Sequence, residues 1–189
     1  MEYKDKKILV DTGASSLFAE NMKKLGFCIE DVDYADRIEF ATGDYRLCDG
    51  VYLIPHKTPG LQKIGMREMM YLKTPQGFVP DNFSHEQSLV LDTDKGLVII
   101  NCCSHGGAVN IIQEVMATFP DKKVYGLIGG FHLFNKSEAE IREVARKIKS
   151  TGISYVCTGH CTKERAYNIM KEELTDMLEQ LHVGLKMEF

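Results

Sequence analysis

Three of the chain's six histidines stand in the same local context. Leu97 to Ile100 is a continuous apolar run that gives way to Asn101-Cys102-Cys103-Ser104-His105-Gly106-Gly107. Val124 to Ile128 gives way to Gly129-Gly130-Phe131-His132-Leu133, and Ile153 to Cys157 gives way to Thr158-Gly159-His160-Cys161-Thr162. A single histidine in a turn is ordinarily a hydrogen-bonded turn residue. Three in equivalent places are a candidate ligand set, because imidazole is the commonest side-chain metal ligand and an ion needs several donors converging on it. Asp11 ends the apolar stretch Lys7 to Val10, where it either accepts hydrogen bonds from its own turn or orients a metal-bound histidine from behind. Cys102, Cys103, Cys157 and Cys161 lie beside these turns, but their spacing is not the CxxC of a redox motif or zinc knuckle. They read as buried free thiols, with a site-lining role as the alternative; Cys28 and Cys48 read as packing residues.

The elements that must position these groups follow from the hydrophobic pattern. Each apolar run is too short for a helix and has the composition of a strand buried on both faces. Ala108 to Thr118 predicts a helix with Val109, Ile112, Val115 and Met116 on one side, and a second helix is expected from about Ser137 to Ser150. Thr162 is expected to cap a third through Tyr167 and Met170. Leu174, Met177, Leu178 and Leu181 suit a further amphipathic helix, and Gly184 to Phe189 alternates as a final edge strand. Such strand-turn-helix units place the histidines at the carboxyl ends of strands, where α/β folds bind ligands.

Upstream, Ser15 or Ser16 is expected to cap a helix carrying Leu17, Phe18, Met22 and Leu25. Asp36 to Phe40 and Val51 to Ile54 read as antiparallel strands, and Ser88 to Asp92 joins the Leu97 strand through the Asp94-Lys95-Gly96 turn. Leu61 to Asn82 is the least regular stretch. Its Met66, Met69 and Met70 are expected in the core, with an apolar wall over the site as the alternative. His56 reads as a solvated loop residue, His182 as a solvated helix end, and His85 as either a substrate contact or an edge residue. With no linker or internal repeat beyond the strand-turn-helix unit, residues 1–189 are expected to form one domain.

A net charge of −4 argues against a nucleic-acid or anionic-membrane surface built on bulk electrostatics. No apolar run approaches the ~20 residues needed to span a bilayer, and the N-terminus is too charged for a signal peptide. The expected setting is cytoplasmic, the expected partner a small molecule, and the oligomeric state open.

These residues resemble the metallo-β-lactamase fold superfamily, and within it the branch of dihydropterin-ribofuranosylaminobenzene-phosphate synthase-like metallo-hydrolases. Ile8-Leu9-Val10-Asp11-Thr12-Gly13 is similar to the first motif, Cys103-Ser104-His105-Gly106-Gly107 to the third, and Thr158-Gly159-His160-Cys161-Thr162 to the fifth. Gly129-Gly130-Phe131-His132-Leu133 looks like this branch's fourth motif, with Phe131 where many relatives carry a metal-bridging aspartate. The resemblance implies an α/β fold, an αββα sandwich with the metal site at one edge between two sheets. Strands ahead of the first motif and the second motif, His-x-His-x-Asp-His, do not appear; the sequence is expected to be abridged there, the alternative being a protein that has lost half its metal site.

By that resemblance His105 and His160 are metal ligands, His132 is a third ligand or a substrate donor, and Asp11 orients the cluster. One or two ions of Zn²⁺, or Fe or Mn in the same ligands, would activate water for attack on a phosphoryl or acyl centre of a small anionic substrate. The turn holding Ser104, Gly106 and Gly107 opens a helix and could hold a phosphate on backbone N–H groups. The competing readings are a non-catalytic ligand-binding protein on the same scaffold and a thiol redox protein.

Overall fold

The computed structural model describes residues 1–4, 6–8, 23–24, 26 and 41–189. The backbone divides into two compact units, Met1–Phe40 and Ala41–Phe189. In the first, strands β1 (Glu2–Tyr3) and β2 (Lys6–Lys7) form an antiparallel pair. Asp11, the helix expected after Ser15 and the strand expected at Asp36 to Phe40 lie outside the described residues.

The second unit is built on a seven-stranded sheet. Its strands are β3 (Tyr45–Cys48), β4 (Val51–Pro55), β7 (Gln87–Thr93), β8 (Gly96–Asn101), β9 (Val124–Gly129), β10 (Tyr155–Thr158) and β11 (Leu178–Gln180), in spatial order β11-β10-β9-β8-β7-β4-β3. From β8 to β11 the pairing is parallel; β7, β4 and β3 complete the sheet antiparallel. Helices α2 (Ala108–Thr118), α3 (Glu138–Ser150) and α4 (Lys163–Leu174) connect the parallel strands. The strands advance in one direction and parallel crossovers are right-handed, so all three helices cover the same face. Ile111, Ile112 and Val115 of α2, Ile141 and Ile148 of α3 and Met170 of α4 pack there against Leu97, Ile99, Leu127 and Val156. Each such side chain contributes roughly 1.5–3 kcal/mol through burial. Leu89, Leu91 and Val98 are buried outside that cluster, so the strands read as continuous apolar runs.

Helix α3 begins where expected, because Ser137 and Glu140 form a reciprocal capping box. Thr162 does not cap α4. The 3-10 turn His160–Thr162 precedes that helix, and the Thr162 hydroxyl instead accepts the Phe131 N–H at 2.9 Å and pairs with the Thr158 hydroxyl at 2.6 Å. The expected helix over Leu174 to Leu181 is also corrected. Helix α4 stops at Leu174, Thr175 turns at φ 51°, and Leu178–Gln180 becomes the parallel edge strand β11. Gly184 to Phe189 forms no strand; Phe189 packs its ring on Tyr125 and Tyr155.

The stretch from Leu61 to Asn82 is ordered as helix α1 (Gln62–Arg67) followed by the hairpin β5 (Tyr71–Thr74) and β6 (Gly77–Pro80). A Cβ at Gly65 would lie 2.1 Å from the Asp81 carbonyl oxygen, so the missing side chain is what lets helix and hairpin end meet. The expectation that the methionines are core fails at two of them: Met66 is 56% and Met69 81% exposed. Among the described residues no helix is long and apolar enough to cross a membrane.

Candidate active site

The turn after β8 is fixed from inside. The buried Asn101 side chain accepts the Ser104 N–H at 2.8 Å and the Ser104 hydroxyl at 3.2 Å, and donates to Ser88 at 2.9 Å. Ser104 turns at φ 45° and Gly107 at φ 101°, which starts α2 directly after His105. The Ser104 side chain is thus engaged with Asn101.

Behind His105 runs a chain of alternating charges. The Glu86 carboxylate accepts from His105 Nδ1 through one oxygen and lies 3.3 Å from His56 Nε2 through the other. His56 Nδ1 faces the Glu114 carboxylate at 3.0 Å, and Glu114 also accepts the Lys57 and Thr58 N–H groups and the Thr58 hydroxyl. The His56 ring is 3% exposed and the Glu114 side chain 7%. Burial acts to lower the His56 pKa, but hydrogen bonds to Glu114 and Glu86 and their charges outweigh it and raise the pKa to about 9. Burial likewise acts to raise the Glu86 pKa, and the hydrogen bonds from His105 and His56 bring it down to about 2. Glu114 is lowered by His56 and Thr58 against its own burial. The carboxylate on Nδ1 leaves His105 Nε2 as the ring's other ligating atom, the arrangement by which proteins orient metal-binding histidines.

His56 is therefore not a solvated loop residue. Two carboxylates brought by other elements make it a buried cation, and the signal in the sequence was Glu114, a charge on the apolar side of α2 between Ile111 and Val115. Glu86, next to the candidate His85, carries the contact to His105. His85 itself is mostly exposed and turns toward Asp81 at 3.7 Å.

A cleft of about 290 Å³ opens beside His105, lined also by Ser104, Gly107, His132 and Lys136. The His105 and His132 rings meet edge to face with centroids 4.7 Å apart, and buried Phe83 stacks on His105. His132 turns at φ 50°, its N–H donating to Cys161 Sγ at 3.2 Å, and its pKa is lowered by burial and by His105. Arg67, Lys136 and Lys147 at the cleft are matched by Glu68, Glu140 and Glu143. Lys136 and Arg67 both pair with Glu68, which against its burial is held down to about 2 by Lys136, Asn135 and Arg67. Gly106 packs elsewhere, with a Cβ there 2.5 Å from the His56 ring.

His160 is exposed and stands with the thiols. Cys103, His160 and Cys161 offer ligand atoms that all lie within 4.8 Å of one another, the one such grouping of three among the described residues. Burial and then Cys161 push the Cys103 thiol up to about 12. Cys157 is buried, Cys48 half-buried and Cys102 exposed. An oriented imidazole, a second imidazole in contact with it and a thiol-imidazole group are donors that suit a divalent transition metal.

No family model matches the chain. Over 111 residues, 59% of its length, it is 38% identical to the 7,8-dihydropterin-6-methyl-4-(β-D-ribofuranosyl)-aminobenzene-5'-phosphate synthase of Methanocaldococcus jannaschii, of which that stretch is 38%. A crystal structure of a metal-dependent hydrolase of the β-lactamase superfamily matches with a TM-score of 0.67 and 28% identity, over 79% of this chain and 57% of that one. The chain thus spans less than two thirds of either relative. Its large mixed sheet with helices is the metallo-β-lactamase fold, and its sequence resembles the synthase branch of that superfamily.

Proposed function

We propose that this chain carries part or all of the active site of a metal-dependent hydrolase acting on a small phosphate-bearing anion. The observation that carries the reading is the Glu86 carboxylate on Nδ1 of His105, which lines the cleft, with His56 and Glu114 backing that carboxylate from behind. A charged chain of this kind is costly to bury and is accounted for by the need to hold one ring in one tautomer and orientation. His105, His132 and His160 are the proposed ligands of Zn²⁺, or of Fe or Mn, as one ion or two. When bound, the ion would lower the pKa of water toward neutrality and withdraw charge from a phosphoryl oxygen.

The chain's own groups supply the rest. Lys136, Arg67 and Lys147 offer positive charge along the cleft, although each has an acidic neighbour, so they select a compact anion more than they attract one from a distance. Gly107 and Ala108 bring the start of α2 to the same cleft, where backbone N–H groups favour phosphate oxygens. A cytoplasmic setting, which keeps thiols reduced, belongs to the same reading.

The test is hydrolysis of a chromogenic phosphodiester and phosphomonoester by protein loaded with Zn²⁺ or Mn²⁺, with His105→Ala beside it. Metal-dependent turnover that falls at least a hundredfold in the variant is expected. Metal binding without turnover would favour a ligand-binding protein on the same scaffold.

A further inference from the structure

The two arms of the site present different donors. Cys103 leaves the turn after β8, while His160 and Cys161 open the 3-10 turn after β10, and β9 lies between those strands. The turns nevertheless close over the end of β9. A Cβ at Gly130 would lie 2.6 Å from Cys161 Sγ and 2.9 Å from the Cys102 carbonyl oxygen, so glycine there is a condition of their approach. Both thiols are free, and with His160 they place three ligand atoms within 4.8 Å of one another. A tetrahedral ion with bonds of about 2.3 Å to sulfur and 2.0–2.1 Å to nitrogen separates its donors by roughly 3.5–3.8 Å. Only a small inward movement is needed to reach that spacing.

We infer that Cys103, His160 and Cys161 form a two-sulfur, one-nitrogen ligand set for a thiophilic divalent cation of the Zn²⁺ class. The inference rests on the reading of His160 as a metal ligand and deepens it, because it replaces an all-imidazole set on this arm by thiolates. On binding, each thiol proton leaves to solvent and each sulfur bonds the cation, with no change of oxidation state. Three protein donors leave a fourth tetrahedral position open at the rim where His160 is exposed. Sulfur donors select Zn²⁺ or Co²⁺ over Mn²⁺ and Mg²⁺, the reverse of a carboxylate-rich site.

Co²⁺ titrated into the reduced, metal-free protein tests this, since thiolate-bound Co²⁺ has a near-ultraviolet charge-transfer band that imidazole-bound Co²⁺ lacks. The expected result is such a band saturating with stoichiometric Co²⁺. It should fall by about half in Cys103→Ser or Cys161→Ser, vanish in the double variant, persist in Cys157→Ser, and be bleached by Zn²⁺ but not by Mn²⁺. Circular dichroism of each variant checks that it is folded. Visible d–d bands without charge transfer, or a band that survives in the double variant, would overturn the inference. The hydrolase reading fails separately: phosphoester turnover on the same samples can be absent while the thiolate band is present, or present while the band is absent.

Discussion

The two sides of the site are built on opposite terms. His105 is held by Glu86, His56 and Glu114, a chain of charges brought from the end of β4, the start of β7 and α2, with His56 and Glu114 buried and Glu86 half-buried. His160 is exposed on a short 3-10 turn and its neighbours are two cysteine thiols. One side makes ligand orientation part of the folding energy, because its charges are tolerable only when all are present. On the other, the donors sit in place with little electrostatic cost to the fold. The difference teaches that a residue's distance from the chemistry does not measure its cost to the fold.

The comparison predicts its largest effect farthest from the cleft. Glu114→Ala leaves the His56 imidazolium with one partner and orphans the N–H groups of Lys57 and Thr58. Breaking a buried pair in this way costs on the order of 3–5 kcal/mol, which a urea unfolding series would read directly. An effect below about 1 kcal/mol would mean that the His56–Glu114 pair is not sealed as the structure shows, since that is the range of solvated pairs.

Acidity offers a second probe of the same side. Glu114 and Glu86 face His56, whose folded pKa is raised from 6.5 to about 9, so the stabilisation is complete below pH 6.5 and disappears as pH rises through 9. Glu86 titrates in the opposite sense: its pKa is lowered from 4.5 to about 2, so its share is complete above pH 4.5 and is lost as pH falls through 2. The joint contribution of His56 and Glu86 should therefore be greatest between pH 4.5 and 6.5 and decline on the alkaline side by up to ~3 kcal/mol. Denaturant midpoints measured from pH 5 to 10 would show this, and Glu114→Gln should flatten the alkaline slope. A profile unchanged by that substitution would assign the decline to other groups.

What was legible in the sequence divides along the same line. The strand-turn-helix units from Leu97 to Tyr167 could be read because a buried parallel strand is a continuous apolar run and its donors follow at once in the chain. The Glu86, His56 and Glu114 contacts could not, because their partners lie 30 and 58 positions apart and a loop histidine looks the same whether it meets water or two carboxylates. The end of the chain failed for another reason. Leu174, Leu178 and Leu181 have helical spacing, and a three-residue strand is too short to show alternation against it. The exposed Met66 and Met69 were unreadable because a methionine does not declare which side of an irregular segment it occupies.

Gly106→Ala sharpens the contrast at a smaller scale. The new methyl carbon would meet the His56 ring at 2.5 Å, and two carboxylates hold that ring in place, so it cannot swing aside as a free side chain would. Overpacking of this kind costs roughly 1–3 kcal/mol. Because His56 also touches Glu86, metal affinity should weaken along with the denaturant midpoint. Loss of stability with unaltered affinity would show that the chain of charges does not transmit to His105.

Cys161→Ser carries the smallest expected effect on the fold. The hydroxyl is close in size to the thiol and can still accept the His132 N–H, which now reaches sulfur at 3.2 Å. The residue is half-buried and forms no ion pair among the described residues, so stability should change by less than about 1 kcal/mol. Its cost should appear instead in the affinity for Zn²⁺, with Mn²⁺ affinity nearly unchanged, because oxygen is a poorer donor to the softer ion. Unfolding by this substitution would show that the thiol side is as much a part of the core as the charged side, and the division of labour between the two arms would be wrong.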